Sequence, residues 1–178
     1  MASRNRRLRD LSRLPPEELV AVGDAFIKSQ HPITTAILGA VMVEHGLEQL
    51  LRSTLKHKDD KTWAMLTADN GPLRPFYCKI AMGYALGAYD DSVRSDLTIV
   101  RTIRNAFAHS KKLIKFDHPA VVAALRKATT SSALPKGLDE RRLYINLCLR
   151  LTLKLMRIHL QRMGRITYNP FDFLLKDH

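Results

Sequence analysis

DLTIVRTIRNAFAHSKK, residues 96–112, carries the clearest periodicity in the chain. At about 100° per residue, Val93, Leu97, Val100, Ile103 and Phe107 fall on one apolar stripe, with Ile99 and Ala106 at its edge. Thr98, Arg101, Thr102, Asn105 and His109 fall on the opposite side. This pattern predicts a long amphipathic helix that ends at a histidine. Two charged residues break it, because Asp96 and Arg104 project into the apolar stripe. A charge there is costly unless it is paired. Arg104, Asn105 and His109 together make an R-N-x-x-x-H spacing.

The flanking segments are helical as well. Residues 74–88 predict a helix with Phe76, Tyr77, Ile80, Tyr84 and Ala85 inward. Gly83 in its middle costs about 1 kcal/mol and points to close packing of a neighbour. Asp90, Asp91 and Ser92 then cap the central helix. Further back, residues 33–56 place Ile33, Ile37, Ala40, Val41, Leu47, Leu51 and Leu55 on one stripe, and Glu44 and Glu48 share it one turn apart. A buried Glu–Arg pair joining this helix to Arg104 is the simple expectation, with Asp96 in the same charge network. Such pairs fix register more than they add stability. The alternative is that these groups line a polar cleft.

Two resemblances rest on these residues. The run from 76 to 109, with KIAMGYALGAY (79–89), Asp96 and IVRTIRNAFAH (99–109), resembles the mannitol operon repressor family. The preceding helix AILGAVMVEHGLEQLLR (36–52) is similar to that family too, and the likeness covers roughly residues 15–127. It implies a regulatory protein of hexitol uptake and metabolism. The R-x4-H core alone resembles the HEPN domains, small helical proteins that include metal-independent ribonucleases. That resemblance implies a catalytic site of Arg104, Asn105 and His109, composed across a dimer.

The rest of the chain follows the same helical reading. Residues 1–14 form a basic arm, expected to be flexible. Pro15, Pro16, Glu17 and Glu18 open a helix to about residue 29, with proline in the first turn and acids at the positive end of the dipole. His31 and Pro32 break it and start the next. Residues 56–61 and 69–72 are loops, with a helical turn between them. Residues 110–116 are irregular, 119–128 form a short helix, and 129–137 (TTSSALPKG) form a loop and candidate hinge. In 139–163 the leucines alternate as a strand would, but Asn146, Arg150, Lys154, Arg157 and Gln161 step by helical intervals. With one narrow polar stripe, this helix is either central or part of a dimer interface. Residues 166–178 form a tail with Tyr168, Phe171 and Phe173, expected to pack back onto the domain.

The expected fold is all-α, a single-domain helical bundle of six or seven helices spanning 15–165. A chain of 178 residues suits one core, and 46% hydrophobic content is globular. The net charge is +12. It concentrates in two segments: residues 1–13 hold five arginines against one aspartate, and 136–165 hold eight basic residues against two acidic. Such a balance favours an anionic partner, nucleic acid first. Arg4, Arg6, Arg7, Arg9, Arg150, Lys154 and Arg157 are the candidate phosphate contacts. The second possible partner is another regulatory protein, and a homodimer is expected in either case.

The two cysteines, Cys78 and Cys148, sit in apolar helical patterns and read as reduced core residues of a cytoplasmic protein. No Cys/His spacing suggests a metal, and no cofactor is expected. The basic N-terminus lacks the apolar core of a secretory signal. No apolar tract reaches the roughly 18 residues needed to span a bilayer. A ribonuclease would need a base, an acid and a cation beside the phosphate. His109 suits either proton-transfer role and Arg104 suits the phosphate. However, these two lie about 140° apart on an ideal helix. They converge only where the helix ends or where a symmetry mate supplies one of them. A regulator that binds without cutting is therefore the leading expectation, with a metal-independent endoribonuclease second. A helix-turn-helix DNA reader is absent from the pattern.

Overall fold

The computed structural model describes residues 16–129 and 137–165, and they form seven helices with no strand. In chain order these are α1 (Pro16–Lys28), α2 (Pro32–Thr54), α3 (Asp60–Thr67), α4 (Phe76–Ala85), α5 (Asp91–His109), α6 (Pro119–Leu125) and α7 (Glu140–Arg162). The all-α bundle expected from periodicity is the fold observed. The arm with Arg4, Arg6, Arg7 and Arg9, part of the 129–137 loop, and the tail with Tyr168, Phe171 and Phe173 lie outside the described residues.

Local chemistry sets the helix starts. Asp59, Asp90 and Asp139 each accept a hydrogen bond from the backbone N–H three residues on, which satisfies one of the orphan donors of a first turn. Proline opens α2 and α6, where its missing N–H costs nothing. The turn after α4 needs Gly87, whose φ of +61° is left-handed.

Helix α2 is the axis of the bundle, and α1, α4, α5 and α7 all pack on it. The α2–α7 contact is the most extensive, and Gly39 makes it possible. A Cβ at Gly39 would lie 2.9 Å from the Cys148 Sγ and from the rings of Phe26 and Tyr144. Tyr144 stays buried because its hydroxyl donates to the Ala36 carbonyl at 2.7 Å. Its ring continues through Phe116 to Phe107, with centroids 5.1 and 4.8 Å apart, tying α7 and the 110–118 loop to α5. Burial pushes the Cys148 thiol well above the ordinary range, so this cysteine is a packing residue.

The strand-like alternation in 139–163 is helix α7. Tyr144, Leu147, Cys148, Leu151 and Leu155 face the core, while Leu149, Leu153 and Leu160 are half-buried on other faces. Helix α7 is thus covered chiefly by α2, with α5 and α6 also packed on it, and few of its residues are exposed.

Candidate functional site

Of the three residues of the R-N-x-x-x-H spacing, Arg104 and Asn105 touch each other, and His109 lies one turn past Asn105 at the end of α5. Arg104 is exposed, and its guanidinium donates to the Asn105 side-chain carbonyl at 2.9 Å. His109 is the last residue of α5 and is exposed. The expectation that Arg104 points inward is corrected. Leu97, on the same flank of the helix seven residues earlier, is fully buried. The neighbours that cover this flank at Leu97 do not cover it two turns further on. Rotation around a helix predicts facing, but not how far each flank stays covered: Phe107, beyond Arg104, is still buried.

The inward glutamates have a different partner. Lys79 of α4 is buried, and its ammonium donates to Glu44 at 2.5 Å and also to Glu48. The two carboxylates stay partly open to solvent. Burial alone would depress the Lys79 pKa, but the charges of Glu44 and Glu48 outweigh it and raise the pKa above the ordinary lysine value. The expected Glu–Arg104 pair is therefore replaced by a Glu–Lys–Glu cluster between α2 and α4. Asp96 takes no part in it. It is buried, and it accepts from the Thr129 N–H at 2.8 Å and the Thr129 hydroxyl at 2.7 Å. That contact secures the end of the short helical stretch after α5.

Lys79 went unsuspected although the sequence marks it. It is the sole charge in the fifteen residues 75–89, PFYCKIAMGYALGAY. With that charge inside, several apolar residues of α4, and Leu86 just after it, are left outside. Tyr77 is 58% exposed, Leu86 40%, Met82 38% and Tyr84 37%. The expectation that Tyr77, Tyr84 and Ala85 face inward is thus corrected, while Ile80 is buried and Phe76 is half-buried. What the core needs from this face is room. A Cβ at Gly83 would come within 2.7 Å of the Tyr89 ring, whose hydroxyl donates to the Ile80 carbonyl at 2.7 Å. Arg94 sits over the Tyr84 ring at 4.3 Å, and the Tyr84 hydroxyl donates to Asp91 at 3.1 Å.

An open groove of about 350 Å³ flanks the C-terminal end of α5. Ile103, Ala106, Ile114 and Val121 supply its apolar walls, with Lys112 and His118 among its polar groups. Arg104, Asn105 and His109 are not among its lining residues. On α7, Lys154 is exposed, and Arg150 and Arg157 are half-buried with interactions of their own. Among the described residues, no cluster of His, Cys, Asp and Glu could hold a metal ion, and no helix is long and apolar enough to cross a membrane.

With this geometry in view, comparison with known proteins gives a single kind of answer. No family profile and no curated protein matches the sequence. Among solved structures, the chain is similar to one from the X-ray structure of the MtlR–HPr complex from Escherichia coli. The TM-score is 0.65 at 14% identity, over 78% of this chain and 98% of that one. At that identity the likeness shows the fold, and the fold is MtlR-like.

Proposed function

We propose that this protein is a regulator of the mannitol-operon-repressor type that works by docking a protein partner. The observation that carries the reading is the fold likeness, which spans 98% of a chain from a two-protein complex. The position of Arg104, Asn105 and His109 outside the lining of the groove beside α5 supports a binder over a ribonuclease, because general acid–base catalysis needs its groups around one enclosed reacting centre. The apolar outer face of α4 supports a protein partner, since aromatic residues and methionine are enriched in protein interfaces.

HPr, the partner named for the MtlR of that complex, is the first molecule to test. Isothermal titration of purified HPr into the full chain is expected to give saturable binding. Absence of heat, together with tight binding to DNA or RNA, would overturn the reading. The charge of +12 favours that second possibility, a nucleic-acid binder. There, Arg150, Lys154 and Arg157, with Arg4, Arg6, Arg7 and Arg9, would meet phosphates, and affinity would fall steeply with salt.

A further inference from the structure

We infer that the groove at the C-terminal end of α5 is a binding site for a small organic anion with an aliphatic body, a medium-chain carboxylate being the plainest case. None of its lining residues belongs to α4, so the inference stands apart from partner docking on that helix.

Two helices and the loop between them build the apolar part of the site. Ile103 and Val121 are buried and Ile114 is half-buried along its wall. Ala106 and Ala120 stay exposed beside them, and their small side chains leave about 350 Å³ open, within the range of small-molecule sites. The polar lining is sparse, with Thr102, Ser110, Lys112 and His118. Ser110 is already engaged, since its hydroxyl donates to the Lys112 carbonyl at 2.7 Å and accepts from the Lys112 N–H at 3.1 Å. That closed turn holds Lys112 at the groove. The His118 Nδ1 accepts from the Ala120 N–H at 3.3 Å, so in the neutral ring the proton sits on Nε2, which is left as a donor.

Charge selects the sign of the ligand. Residues 101–128 hold seven lysines and arginines against one acid, Asp117. None of the seven is in an ion pair among the described residues, whereas Arg52, Arg74, Lys79 and Arg94 all are. Lys112 is thus an uncompensated cation beside an aliphatic wall, and a bound carboxylate would supply the missing charge. The wall selects the body. No Phe, Tyr or Trp lines the groove, so a nucleobase would find no ring to stack on. A polyol would set most of its hydroxyls against methyl groups with no hydrogen bond. An alkyl chain ending in one anionic group matches both parts of the site.

Methyl NMR of the full chain, titrated with octanoate below its micellar range, tests the inference. Saturable shifts are expected at Ile103, Ile114 and Val121, with a Kd below about 1 mM. Octanol, the uncharged twin, is expected to bind the same methyls roughly tenfold or more weakly. Lys112→Ala should erase that difference by weakening octanoate alone. Ala106→Phe and Ala120→Phe, made separately, fill the groove and should each abolish the shifts while helical circular dichroism is retained. Both alanines are exposed, so neither ring enters the core. The inference is overturned by an absence of shifts with octanoate, by equal affinity for octanol, or by octanoate binding that Lys112→Ala or both groove-filling variants leave unchanged. Shifts at these methyls with a short single-stranded RNA and none with octanoate would assign the face to nucleic acid, which overturns it as well.

Discussion

Helices α4 and α5 are neighbours joined by a short turn and packed on the same helix, yet they obey opposite rules. In α5 the apolar residues Val93, Leu97, Val100, Ile103 and Phe107 are buried, and Arg94 and Arg104 are in solvent. Its one inward charge, Asp96, is satisfied by Thr129. In α4 the lysine is inside, and both tyrosines of the helix are exposed. The difference comes from what α2 offers each of them. Helix α5 meets an apolar surface, so its own amphipathicity decides its rotation. Helix α4 meets Glu44 and Glu48, and a cation that pairs with both decides its rotation against hydrophobicity. An amphipathic helix can be oriented from its own sequence. A helix without a polar face is oriented by its neighbour.

Lys79→Met should give the largest effect, because it leaves Glu44 and Glu48 side by side with no cation. A broken buried pair costs about 3–5 kcal/mol, and the partial exposure of both glutamates places the expectation at the lower end. Chemical denaturation would measure it. The same lysine sets a pH response. Its folded pKa is raised, so its contribution is complete below the ordinary lysine range and is lost as pH rises through the folded value. Wild type should therefore lose stability at strongly alkaline pH more steeply than Lys79→Met. Equal alkaline slopes would break the contrast between the helices.

Asp96→Ala comes next, with a loss of about 2 kcal/mol from two charge-assisted hydrogen bonds to Thr129. Gly83→Ala should cost about 1 kcal/mol, as crowding against Tyr89 outweighs the gain in helix propensity. Arg104→Ala should be the mildest, within about 0.5 kcal/mol, because its side chain is at the surface. An Arg104→Ala loss as large as that of Lys79→Met would restore the pairing that periodicity suggests and undo the comparison.

The sequence alone reaches far into this fold. Asp90 and the prolines at residues 16, 32 and 119 mark helix starts through capping and ring geometry, which act locally. The stripe of α5 is legible because its two faces differ in kind. The face of α4 is not, since a ten-residue helix with apolar residues all round offers no contrast to read. The partner of Glu44 and Glu48 is illegible for a related reason. Periodicity names the residues that turn inward, and Arg104 turns that way, but it carries no information on which flank of α5 loses its cover toward the C-terminal end. Only the isolation of Lys79 among fourteen uncharged residues could have raised it as the alternative.

Reactivity of single lysines toward an amine-acylating reagent tests the inversion of α4 most directly. In native protein, Lys79 should resist acylation while the exposed Lys56, Lys58, Lys61 and Lys111 react readily, and denaturant should equalise them. Native Lys79 reacting as fast as those four would place its charge outside, and the account of both helices would fail.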